Sequence, residues 1–188
     1  MSKQTLSVSH YTRLIQPMPA FLITCAEKEG QPNAIAIAWL TPVSVNPPLL
    51  AFAIRPQRYS YALLQENPAF VVNVMAYEQA IEVLFCGRCS GRDVDKFATT
   101  GLTPVPAQAV NVPAIGEALA HVECEVEAEY PAGDHVIVVG RVMAASAEEG
   151  VLAQNVRDIA TAPPLFYLGG NCFTTSSGEI SEPDVGLD

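Results

Sequence analysis

From Ala120 to Tyr130 the sequence AHVECEVEAEY alternates without a break. Ala120, Val122, Cys124, Val126, Ala128 and Tyr130 share one face, and His121, Glu123, Glu125, Glu127 and Glu129 share the other. That period of two predicts a half-buried strand. PAGD supplies turn residues, and HVIVVGRVMAA then reads as a more fully buried strand, so the two form a long antiparallel hairpin. Upstream, AFLITCAE, NAIAIAW, LLAFAI and FVVNVMA are short apolar or alternating runs, most of them flanked by Pro, Gly or Asn, and PLFYLGG is a late strand. SYALLQENP and YEQAIEVLFCG have helical spacing with a Pro or Gly stop. Six or seven strands that adjoin one another, with two or three helices, predict a mainly β fold: a β-barrel carrying helices.

Length and composition narrow this further. The 188 residues fit one domain, 1–188, and the 49% hydrophobic content is dispersed in runs far shorter than a membrane helix needs. The first residues lack the apolar region and cleavage site of a secretory signal, so the expectation is a cytoplasmic chain whose five cysteines are thiols. Ten Lys and Arg against twenty Asp and Glu give a net charge of −10, which repels a phosphate backbone and argues against nucleic acid as a partner. The polar, acidic residues 176–188 read as a mobile or partner-contacting tail.

Against that acidity, the stretches RPQRYSYALL and CGRCSGR are cationic and carry no acid, Asp93 and Asp95 following only after the second. In RPQRYSYALL, Arg55 and Arg58 precede Ser60 and Tyr61 where a helix begins; guanidinium groups, hydroxyls and a helix start together favour a phosphate, the alternative being a capped surface helix with solvated arginines. In CGRCSGRDVDKF, Arg88 and Arg92 flank two glycines and Ser90, and Lys96 follows. An anion-binding loop fits. Zinc does not, because C-x2-C occurs once with no second pair or nearby histidine, and no metal site is expected. A redox pair wants a helix starting at the cysteines, whereas here a helix ends there. NAIAIAW places Ala34, Ala36 and Ala38 on one strand face. That face either lets a planar ligand lie against the backbone or lets a helix pack closely. TPVSVNPP after it reads as a proline-stiffened loop.

The order N-x5-W-x-TPVS-x2-PP, R-x2-R-x-S, FVVNV, SGRDVDKF and EC-x-V-x3-YPAGDH-x4-G-x-V resembles the flavin reductase-like domain, in particular its flavoredoxin-type members, over about Pro17 to Leu168. The resemblance implies an FMN-binding split β-barrel, usually a homodimer, reduced by NADH or NADPH and passing electrons to flavin, ferric complexes, another small molecule or a protein acceptor. A flavoredoxin-like carrier with little turnover, and a dimeric barrel without cofactor, are the alternatives. Carried over residue by residue, Ile37, Ala38, Trp39, Leu40 and Thr41 would line the flavin ring and ribityl chain. Arg55, Arg58, Ser60, Tyr61, Ser90, Arg92 and Lys96 would approach its phosphate, and His135 would stand beside the flavin or nicotinamide. At Ala36 and Ala38 many relatives carry hydroxyl residues, so contacts there would be main-chain. No catalytic side chain is assigned, since the redox chemistry belongs to the flavin.

Overall fold

The computed structural model describes residues 3–27 and 30–178, so the tail from 179 onward lies outside the described residues. Its main sheet holds seven strands: β1 (Phe21–Ala26), β2 (Pro32–Ile37), β3 (Leu40–Ser44), β4 (Leu49–Ile54), β5 (Ala69–Val74), β6 (Ala120–Ala132) and β7 (His135–Ala147). Every pairing is antiparallel, in the order β2-β1-β5-β6-β7-β4-β3. β2 and β4 approach one another, yet no ladder joins them among the described residues. The barrel is therefore split along that seam, and the outer edge of β2 has no strand partner among the described residues.

The predicted strands all form, with four differences. TPVS is not a loop: it is β3, because Leu40, Thr41 and Pro42 register against Phe52, Ala51 and Leu50, and an edge strand tolerates proline. The β6–β7 hairpin is longer than the alternating run, since β6 continues to Ala132 and leaves only Gly133 and Asp134 as the loop. Gly133 has φ +64°, the first-position requirement of a type II′ turn. Glu123, placed on the solvent face by alternation, is buried. Its carboxylate accepts backbone N–H groups from Gln108 at 2.9 Å and Ala109 at 2.6 Å, so a returning loop covers that end of the strand. β7 is likewise less buried than its composition suggests, with Val136, Val138 and Gly140 inside and Ile137 and Met143 exposed.

Two cores follow from the two faces of β2. Ile35 and Ile37 point into the barrel with Phe52, Phe70 and Val72, plugged by Leu63 and Leu64 of helix α1 (Tyr59–Glu66). Ala34 and Ala36 point outward, beneath α2 (Ala80–Arg88) and α3 (Lys96–Thr100), with Val83, Cys86 and Phe97. Inside the barrel Phe52 and Phe70 meet edge to face at 5.2 Å. A Cβ at Gly140 would lie 2.8 Å from Phe70 Cε1, nearer still to Cζ, and 3.1 Å from Cys124 Cβ. Phe70 is fully buried and has nowhere to move. Gly140→Ala is therefore expected to destabilise the fold by roughly 1–3 kcal/mol through overpacking, read as a lower urea midpoint; an unchanged midpoint would mean the barrel interior is loose.

Candidate functional site

A cleft of about 470 Å³ opens along the seam, within the size range of small-molecule sites. Its back wall is the segment Ile35–Trp39, which runs off the end of β2, and Ala53–Arg55 lies opposite. A smaller cavity of about 110 Å³ shares Ile35, Arg58 and Gly87 with it and runs beneath α2. No Asp or Glu lines either cavity among the described residues, although five of the ten Lys and Arg do. In a chain of net charge −10 this separation of charge gives the two cavities a cationic lining, in which Arg55 alone is paired, with Asp134, among the described residues.

The small cavity is the more enclosed. Lys96, the first residue of α3, is buried, and its ammonium donates to Ala34 O at 2.6 Å and Cys86 O at 2.8 Å. It makes no ion pair among the described residues. Burial, helped by the nearby Arg58 charge, pulls its pKa below the ordinary 10.5. Two carbonyls leave one of its three protons for a further acceptor. Asn33 donates to Ser60 Oγ at 2.7 Å, and its own Oδ1 is buried with no partner. The Ser90–Gly91 turn sits on this amide so closely that a Cβ at Gly91 would overlap Asn33 Oδ1 and come within 3.0 Å of Tyr59. Lys96, Arg58, Ser60 and Ser90 thus surround one cradle of donors without a counterion. A buried, unpaired ammonium is costly unless an anion joins it.

The large cleft is built differently. Trp39 and His135 stack at 5.0 Å with their planes tilted by 37°. His135 Nδ1 is 2.6 Å from Asp134 Oδ1, and Asp134 Oδ2 forms an ion pair with Arg55 Nη2 at 3.0 Å. The hydrogen bond from His135, then the charges of His135 and Arg55, hold the Asp134 carboxyl below the usual carboxylate range. The carboxylate neutralises Arg55 and orients the imidazole, so the histidine stands as a fixed wall of the cleft.

The sequence-predicted residues divide accordingly. Ile37, Ala38, Trp39, Arg55, Arg58 and His135 line the large cleft, and Arg58, Ser60, Ser90 and Lys96 the small cavity. Leu40 and Thr41 line neither; they belong to β3, and the Thr41 hydroxyl donates to Pro42 O. Tyr61 turns away and donates to Glu129 at 2.9 Å; its burial and that bond raise its pKa. Arg92 is exposed and lies over the Tyr59 ring at 4.8 Å, behind the cavity wall. Asn33 was not assigned a role from sequence. Its signal was there, as the first residue of the N-x5-W motif, but a lone Asn gives no hint that its amide will be buried beside a lysine. Cys86 is buried in the last turn of α2 and burial pushes its thiol up to about 11, the opposite of an activated cysteine. No group of three metal-ligating side chains occurs among the described residues, and no helix there is long and apolar enough to cross a membrane.

A split antiparallel barrel with an anion cradle at its seam is the framework of a cofactor-binding β-barrel. Residues 14–176 match the model of the flavin reductase like domain, and the chain belongs to that family. It is 33% identical over 141 residues to the reductase subunit HsaB of a flavin-dependent monooxygenase from Rhodococcus jostii, covering 75% of this chain and 64% of that one. Among solved structures, the flavoredoxin of Desulfovibrio vulgaris superposes with a TM-score of 0.86 at 26% identity, covering 98% of this chain and all of the other. An FMN-binding protein from Thermus thermophilus, solved with bound 1-cyclohex-2-enone, gives 0.79 at 28% identity, covering 97% and 98%.

Proposed function

We propose that this protein is an FMN-dependent oxidoreductase that takes electrons from NADH or NADPH and delivers them to free flavin, a ferric complex or a protein acceptor. The observation that carries this reading is the buried Lys96 cradle, without an ion pair among the described residues, beside a cleft whose back wall is a strand edge with no strand partner there. The residues fit FMN. Lys96, Arg58, Ser60 and Ser90 would hold its phosphate, and the main-chain groups of Ile35 to Ala38 would meet its ring, where alanines keep larger side chains out. Bound there, FMN supplies hydride acceptance and one- or two-electron release. The chain's own contribution is binding and exclusion: Trp39 and His135 close one side of the cleft to water, and Asp134 holds His135 in place. No side-chain acid or base is required.

The likeness to a flavoredoxin favours one second reading, an electron carrier with little turnover of its own. In either case we take the working form to be a cytoplasmic homodimer, measurable as a mass by light scattering. The visible spectrum of the purified protein, before and after soaking in FMN, tests both readings at once. Flavin bands are expected, and their absence after soaking removes FMN from the account. Anaerobic addition of NADH and of NADPH then separates the two: bleaching of the bands identifies a reductase, and persistent colour a carrier.

A further inference from the structure

Arg13, near the start of the chain, and Arg88, near its middle, meet at one turn. Arg88, the last residue of α2, donates through Nη2 to Gly170 O at 2.6 Å and to Asn171 Oδ1 at 2.5 Å. Arg13 lies against the preceding glycine: a Cβ at Gly169, whose φ is +109°, would overlap the Arg13 guanidinium. Glycine at this position both permits the backbone conformation and lets the arginine in. Both arginines line the large cleft. Neither makes an ion pair among the described residues, in contrast to Arg55 with its Asp134. Two guanidinium groups held against one turn repel each other, and in a chain with twice as many acids as bases a carboxylate could easily have been placed between them. The turn leaves it out.

Beside them stand Tyr167 and Phe173, whose rings are 5.5 Å apart and also line the cleft. Arg88 is fixed by Nη2 alone, which leaves the rest of its fork to face a ligand, and a fork of this kind matches phosphate oxygens in pairs. Arg13 has one contact of its own, its Nη1 lying 3.2 Å from the Gln16 side-chain oxygen in the amide orientation that satisfies both groups. Two guanidinium groups that each keep unused N–H donors, next to an aromatic wall, suit a diphosphate joined to a flat base. Flat bases gain from stacking on aromatic rings.

We propose that Arg13 and Arg88 are the subsite for the adenosine diphosphate half of the nicotinamide dinucleotide, with Tyr167 and Phe173 against its base. The proposal rests on the oxidoreductase reading above and deepens it: one cleft then has two anion sites, the enclosed Lys96 cradle for the flavin phosphate and the Gly169–Asn171 turn for the electron donor. Charge-assisted hydrogen bonds of this type change affinity by about tenfold to a hundredfold when removed.

The test uses ADP-ribose, which carries the adenine and diphosphate without the redox ring. Calorimetric titration into the full chain, with and without FMN, is expected to show binding that Arg13→Gln and Arg88→Gln each weaken by tenfold or more. The KM for NADH or NADPH should rise by a similar factor, while the Kd for FMN stays within twofold. Arg13→Gln keeps the test meaningful if loss of Arg88 loosens the turn, since Arg13 makes neither of the bonds to Gly170 and Asn171. The proposal is overturned if the unaltered protein does not bind ADP-ribose, if Arg13→Gln binds it as tightly as the parent, or if FMN affinity falls in parallel, which would assign both arginines to the flavin. ADP-ribose binding that depends on Arg13 in a protein that takes up no FMN would uphold the subsite and remove the flavin reading instead.

Discussion

Lys96→Met is expected to weaken FMN binding by about tenfold to a hundredfold while leaving riboflavin, which lacks the phosphate, nearly unaffected. The ammonium is buried, holds two carbonyls and has no carboxylate within the described residues, so a bound phosphate gives it the counterion it lacks. The effect on stability is smaller because two contributions oppose. Ala34 O and Cys86 O lose a donor, about 1–3 kcal/mol for a buried group left unpaired, whereas a buried charge disappears, which is stabilising. The same residue sets a pH dependence. FMN affinity should fall as pH rises through the folded-state pKa of Lys96, which burial holds below the ordinary 10.5; riboflavin affinity should stay flat. For the flavin-free protein the sign reverses. Between the lowered folded value and 10.5 the unfolded chain holds more protons than the native one, so stability rises with pH across that window. Fluorescence titrations of both flavins over pH 7 to 10 check the first statement, and equal losses for the two would remove Lys96 from the phosphate site.

The cationic half of this site was legible in the sequence because charge is informative against a background of opposite sign. Arg58, Ser60, Ser90 and Lys96 lie in two stretches 30 residues apart, and the fold brings them to one cavity. What sequence could not give was direction. Arg92 and Tyr61 belong to the same two stretches, yet one turns onto Tyr59 and the other to Glu129, because the rotation of α1 and the path of the loop before α3 are set by packing rather than by residue type. Alternation gave the strands and missed Glu123 for a related reason. A strand's polar face is solvent-exposed only until another segment covers it, and the covering loop at Gln108 and Ala109 has no periodicity of its own. Arg13 was invisible: nothing local to it marks a partner 156 residues away at Gly169.

The alanines of NAIAIAW left two readings open, a planar-ligand face or a helix-packing face, and the structure gives the three alanines different surroundings. Ala34 is buried in the outer core, and Ala36 sits 3.1 Å from where a Cβ on Gly87 of α2 would lie, so this part of the strand is a helix seat. Ala38 lies beyond the end of β2, at the cleft, where no helix covers it. Ala36→Leu must push α2 away; overpacking costs about 1–3 kcal/mol, or roughly 2–12 °C in melting temperature for a domain of this size. Ala38→Leu should instead fill the cleft and reduce FMN binding by more than tenfold with the melting temperature of the flavin-free protein unchanged. The comparison is made on flavin-free protein because a bound cofactor adds its own stabilisation. FMN content per chain after dialysis against excess FMN gives the second axis. If Ala38→Leu binds FMN as tightly as the parent, the flavin ring does not lie along residues 37–38 and the back wall of the cleft serves another ligand. If Ala36→Leu melts with the parent, α2 is free to move, and the tight approach of Gly87 is not what requires alanine there.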